Sequence, residues 1–208
     1  MVTAPTTSRS RVTSAEGFTL VEFMIAAFIM SLVLGSTVML ATQMQQVYST
    51  QLDDAALEQE ARYALDWIAR DIRSAASDPY HAVDADDEFT IDPNGGGDDN
   101  SIQTRADINP PDGLIDDTGE DITIELDEDT GIITRYDAVT DDTEEMTDSI
   151  FTGLQFTFLD LTRTVTADAA AVAYVHVEVT AESRAWNPNL GRRPSATLST
   201  EIRLRTRQ

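Results

Sequence analysis

The chain has no cysteine, no lysine and only two histidines in 208 residues. Without cysteine there is no disulfide scaffold, no thiolate zinc site and no cysteine nucleophile. Two histidines leave no room for a His-rich metal centre. All 14 basic residues are Arg, set against 37 acids, so the formal charge is −23. A surface this negative repels phosphate, which argues against nucleic acid as a partner. Hydrophobic residues make up 41%, enough for a core, which argues against wholesale disorder.

The acid is not spread evenly. Residues 1–75 carry a net charge of −3, residues 76–150 a net of −22 and residues 151–208 a net of +2. A block of this kind points to a local cause, such as cation binding or one solvated face. A general need for solubility would spread the acid along the chain.

Residues 1–16 are polar, rich in Ser and Thr, with Arg9 and Arg11. Residues 23–41 then run for 19 positions without a charge. As a helix this run covers roughly 28 Å, close to the ~30 Å hydrocarbon core of a bilayer. The two Arg precede it, so the positive-inside rule places residues 1–17 in the cytoplasm and everything after Ala41 outside. Three readings are open: a secretory signal peptide, a plain anchor helix, and a processing site at residues 17–22. The run is longer than a signal peptide's apolar region, and the small residue that would mark cleavage comes before it.

Gly17-Phe18-Thr19-Leu20-Val21-Glu22, followed at once by the apolar run, resembles the type IV prepilin signature. The resemblance implies cleavage between Gly17 and Phe18 by a membrane prepilin peptidase and N-methylation of Phe18. It also implies that Glu22 sets the axial register by meeting the new α-amine of a neighbouring subunit. A carboxylate at the edge of a span is costly, about 2–3 kcal/mol on insertion scales, and such residues usually have a partner. Within one chain, Glu22 could instead pair with its own Phe18 amine one turn away.

Residues 43–76 contain neither Gly nor Pro. Leu57, Ala61, Ala64, Leu65, Ile68 and Ile72 recur at spacings of three and four, the mark of one helical face. Glu58/Arg62 and Asp66/Arg70 are i,i+4 pairs in the favourable order. Ser77-Asp78-Pro79 ends the pattern. Gly35 reads either as a point of close helix approach or as an ordinary tolerated glycine.

Short apolar alternations over 88–91, 101–105, 121–126 and 131–136 predict strands, the last two joined as a hairpin through Asp127-Glu128-Asp129-Thr130-Gly131. Two Asp/Asn/Gly clusters interrupt them, one at 92–100 and one at 107–120. In the second, Asp107, Asn109, Asp112, Asp116, Asp117 and Glu120 offer the oxygen ligands that Ca²⁺ prefers. Asp112 follows Asn109 by three rather than two, so the EF-hand register fails. The other reading is a solvated acidic loop in which Asp and Asn stabilise turns.

Three alternating runs follow, 150–160, 171–180 and 196–206, with a loop from Trp186 to Pro194 between the last two. They predict an antiparallel sheet whose buried face packs on the amphipathic helix. Arg192, Arg193, Arg203, Arg205 and Arg207 read either as partners for the acidic middle or as a solvated face. His176 lies beside Glu178 on a polar face with no nucleophile or pocket in view, so no catalytic residue is expected.

The helix end RYALDWIARDIRSAA, the stretch GEDITIEL, the run TGLQFTFLD and the closing STEIRLRTR resemble PilW-type minor pilins. The layout is also similar to the minor pseudopilin J of type II secretion. These resemblances imply an α+β, pilin-like fold, with a long N-terminal helix packed on an antiparallel sheet. The implied organisation is a leader at 1–17, a transmembrane half-helix at 18–42 and an amphipathic half-helix at 43–77. An acidic loop and hairpin region at 78–149 and a sheet at 150–208 follow. The implied partners are other pilin or pseudopilin subunits, the prepilin peptidase, an inner-membrane assembly platform and the membrane itself. The implied location is the bacterial inner membrane, single-pass, followed by a pilus or pseudopilus. The alternative from another class is an unprocessed, membrane-anchored, extracytoplasmic calcium-binding domain.

Overall fold

The computed structural model describes residues 17–75, 82–84, 87–93, 95, 97, 99–168, 171–187 and 190–204. Residues 1–16 of the expected leader, the expected helix stop at 77–79, part of the first Asp/Asn/Gly cluster (94, 96 and 98), Arg205 and Arg207 lie outside the described residues.

Helix α1 runs from Leu20 to Ala75. The chain divides into two compact units, up to Tyr48 and from Ser49 onward. In the first, every described residue is exposed, including Phe23, Ile25, Phe28, Leu32 and Leu40. Its few hydroxyls are satisfied by the helix itself. Ser31 donates to the Phe28 carbonyl at 2.7 Å, Thr37 to Val33 at 2.8 Å and Thr42 to Val38 at 2.6 Å. A helix with no charge and no unanswered hydroxyl along this stretch meets the requirement that hydrocarbon sets for a spanning segment. It is long and apolar enough to cross a membrane.

In the second unit the helix buries Leu57, Ala61, Ala64, Leu65, Ile68 and Ile72, the face that the spacing predicts, and adds Trp67 and Ala69. Eight strands follow: β1 (Phe89–Ile91), β2 (Ser101–Arg105), β3 (Asp121–Asp127), β4 (Ile132–Asp137), β5 (Asp142–Glu145), β6 (Phe151–Leu159), β7 (Tyr174–Glu182) and β8 (Ser195–Arg203). They form two antiparallel sheets, a five-stranded meander β1-β2-β3-β4-β5 and a three-stranded β6-β7-β8. The arrangement is α+β, with the long helix packed on antiparallel sheet.

The four strands expected in the acidic middle, over 88–91, 101–105, 121–126 and 131–136, are joined by a fifth, β5, and together form a sheet in their own right. Ile122, Ile124 and Leu126 of β3 point inward at period two, as do Val175, Val177, Val179 and Ala181 of β7. These two inner faces and the helix stripe make one core cluster. Each fully buried Ile or Val in it contributes about 1.5–3 kcal/mol. Backbone bonds tie the sheets together: the Phe151 amide donates to the Gly131 carbonyl at 3.0 Å and the Phe156 amide to Asp99 at 2.9 Å.

Both Arg of the acidic middle are paired. Arg105 meets Asp121 at 2.9 Å, and Arg135 reaches across to Asp71 on the helix at 3.0 Å. Glu58–Arg62 closes at 3.6 Å. Among the described C-terminal Arg, Arg193 pairs with Glu182 of its own sheet at 3.7 Å and Arg163 with Glu201 at 3.4 Å.

Candidate processing and cation sites

Gly17 and Phe18 precede the helix, in exposed non-helical backbone. Thr19 is the N-cap. The Glu22 amide donates to Thr19 Oγ1 at 3.2 Å, and Glu22 Oε2 accepts from the Thr19 amide and from its hydroxyl, both at 2.9 Å. This reciprocal pattern is a capping box. It gives Glu22 a partner that the sequence argument did not consider, although Thr-x-x-Glu carries the signal. The carboxylate also lies in the first turn, where the helix dipole favours negative charge. The Gly17–Phe18 bond thus sits just outside a defined helix start.

The second site is the loop from β2 to β3. Its six candidate ligands divide into a buried pair, a lone Asn and a group of three Asp. Asp107 and Glu120 are buried, at 0% and 1% exposed, and both work as acceptors for backbone. Asp107 takes the Asp112 amide at 2.9 Å and the Gly113 amide. Glu120 takes four amides: Ile108 at 3.0 Å and Asn109 at 3.1 Å on Oε1, Asp116 at 3.1 Å and Asp117 at 2.9 Å on Oε2. Burial alone would raise the Glu120 carboxyl, but the four N–H groups outweigh it and hold it below the ordinary value. The Asn109 side chain donates to the Thr118 carbonyl at 3.4 Å.

The remaining three, Asp112, Asp116 and Asp117, converge, with one carboxylate oxygen of each within 4.8 Å of the others. The Asp117 carboxyl is raised by desolvation first, then by the charges of Glu120, Asp116, Asp112 and Asp107. Three such oxygens are half or fewer of the six to eight that Ca²⁺ takes, so waters would supply the rest.

His176 is partly buried on β7, opposite Thr157 and Glu201 in the sheet register. No family model matches the chain, and neither does any curated protein or solved structure.

Proposed function

We propose that the chain is a minor pilin-like subunit. It enters the inner membrane through residues 23–41, is cut between Gly17 and Phe18, is N-methylated on Phe18 and assembles into or primes a type IV pilus. The observation that carries this reading is the run Gly17-Phe18-Thr19-Leu20-Val21-Glu22 leading directly into a helical stretch, residues 23–41, that is uncharged and exposed throughout. The exposed apolar face from Phe23 to Leu40 offers packing surface to lipid first and to other stems afterwards. The chemistry belongs to the peptidase; this chain supplies helix packing and charge registry. A type II secretion minor pseudopilin shares every one of these features and differs only in the machine that receives it.

Mass spectrometry of the protein from its own membrane tests the reading. Methyl-Phe18 at the N-terminus is the expected result. An intact Met1 would refute processing.

A second reading, an unprocessed membrane-anchored calcium-binding domain, is favoured by the convergence of Asp112, Asp116 and Asp117. Calorimetric titration with millimolar Ca²⁺ on the wild type and on Asp116→Asn distinguishes it. Heat in the wild type that is lost in the variant supports the site, and no heat in either rejects it.

A further inference from the structure

The turn between β7 and β8 and the loop between β2 and β3 carry opposite charge. Positions 184–193 hold Arg184, Arg192 and Arg193 and no acid, whereas positions 107–120 hold five acids and no base. Each also exposes apolar side chains. In the turn Trp186 is 63% exposed; in the loop Leu114 is 57% exposed, and Pro110 and Pro111 are exposed with it. Both segments have a defined shape. In the turn the Asn187 amide donates to the Arg192 carbonyl at 3.1 Å, Gly191 to Asn187 at 3.0 Å and Ser183 to Pro194 at 2.8 Å. In the loop Asp107 gathers two backbone amides and Glu120 four. Surfaces held in this way lose little freedom when they bind.

Their charges are not matched within the chain. Among the described residues Arg192 has no ion pair, Arg193 shares an exposed one with Glu182, and Arg184 gives its Nε to the Ser149 carbonyl. No Arg among the described residues pairs with Asp112, Asp116 or Asp117. The two patches also lie at opposite ends of the second unit. The Asn187 side-chain amide donates to Thr50 Oγ1 at 3.0 Å, which holds the turn against the helix there. Asn109 and Thr118 of the loop line a cleft with Ser74. Thr50 and Ser74 are 24 helical residues apart, about 36 Å along the axis, so turn and loop do not meet in one copy.

We propose that this turn docks on the β2–β3 loop of a second copy of the chain, with its three Arg set against Asp112, Asp116 and Asp117 and Trp186 against Leu114. Trp and Arg are the side chains that most often dominate the energy of a protein interface. Strand β5 also presents acid, but Asp142-Thr143-Glu144-Glu145 offers no apolar residue for the Trp. A contact between two different patches is heterologous, so each copy keeps one patch free and the contact repeats as a row or a ring. The contact lies wholly within the second unit and needs neither processing nor a membrane. Its ion pairs are exposed, so salt weakens it.

The test follows the full chain in detergent micelles by sedimentation velocity, with a divalent-cation chelator present. The wild type is expected to form dimers and larger species that grow with concentration and shrink as salt rises. Trp186→Ala should weaken association by at least about thirtyfold. Arg192→Gln should weaken it by up to about fivefold. Arg192→Asp and Asp116→Arg should each lose association alone, because like charges then face each other. Mixing the two should restore it, since each keeps the patch that the other lacks, and restoration shows that both variants are folded. A wild type that stays monomeric in low salt would overturn the proposal. So would association that both reversals leave intact, which would mark packing through the apolar helix. Loss in both variants that mixing does not restore would overturn it as well, because turn and loop would then not be each other's partners.

Discussion

Glu120 is the residue on which the β2–β3 loop depends, and its replacement by Gln tests that dependence with little change in volume. The carboxylate accepts four backbone amides, two on each oxygen. Gln keeps one oxygen and replaces the other with a second donor. One pair of amides, either 108/109 or 116/117, then faces an NH₂ group. An unsatisfied buried donor costs about 1–3 kcal/mol, and the remaining pair loses the assistance of the charge. Asn109 and Asp116 are exposed, so water recovers part of this. The expected loss is about 2–4 kcal/mol. Urea unfolding followed by Trp67 emission in a Trp186→Phe background measures it, because the Trp67 ring is 5% exposed in the core and reports the second unit, whereas Trp186 is already 63% exposed.

The same variant isolates a pH effect. The folded Glu120 carboxyl lies below its unfolded value, which is about 4.3. The native state therefore binds this proton less readily than the unfolded chain does. The stabilisation is fully present above the unfolded value and is lost as pH falls through the folded one. Other carboxyls shift too, but the difference between wild type and Glu120→Gln cancels them. That difference should be constant near neutrality and shrink below about pH 4.3. A difference under about 0.5 kcal/mol at pH 7, or one that does not change with acid, would refute the assignment of Glu120 as a charged anchor.

Other perturbations follow from the same contacts. Arg135→Ala strands Asp71, whose carboxyl is already raised by burial despite its Arg135 partner. A loss of about 1–3 kcal/mol at neutral pH is expected in urea, recovering as pH falls through the raised folded value and the lone charge is neutralised. Gly131→Ala should cost about 2–4 kcal/mol in the same assay, since its φ is +70° and a Cβ would stand 2.9 Å from the Phe151 carbonyl oxygen. Thr19→Ala and Glu22→Ala both break the capping box, but only the second removes the charge. On the proposed pilin reading, cleavage survives in both and filament incorporation fails only in Glu22→Ala, read by immunoblot of sheared filaments; equal failure would reassign Glu22 to capping.

Periodicity made most of the fold legible. The helix stripe at Leu57–Ala61–Ala64–Leu65–Ile68–Ile72 and seven of the eight strands follow from spacings of three to four and of two. Strand β5 was not legible because Asp142-Thr143-Glu144-Glu145 has no apolar residue and no buried side chain. It exists through backbone pairing with β4, which no side-chain pattern announces. Residue type alone picked out the acidic loop, but it could not tell which carboxylates face inward. One signal was there to be read. Ile122, Ile124 and Leu126 fix the inward phase of β3, and Glu120 continues it by two.

That phase changes what the acidic block means. Buried or turning backbone needs acceptors for its amides, and side-chain oxygens supply them where the sheet ladder cannot. Asp107 and Glu120 do this for the β2–β3 loop. Asp137 does it for Gly119 at 2.9 Å and Val139 at 3.1 Å. Asp127 does it for Asp129 at 2.9 Å and Thr130 at 3.3 Å. These four acids are structural acceptors within the sheet's own turns. They account for part of the −22 without any cation. The acids that face a cation or solvent include the outer set, Asp112, Asp116 and Asp117, and the exposed edge of β5. The composition marks where the acid lies, but only the phase of the neighbouring strand separates acids that hold the loop from acids that face outward.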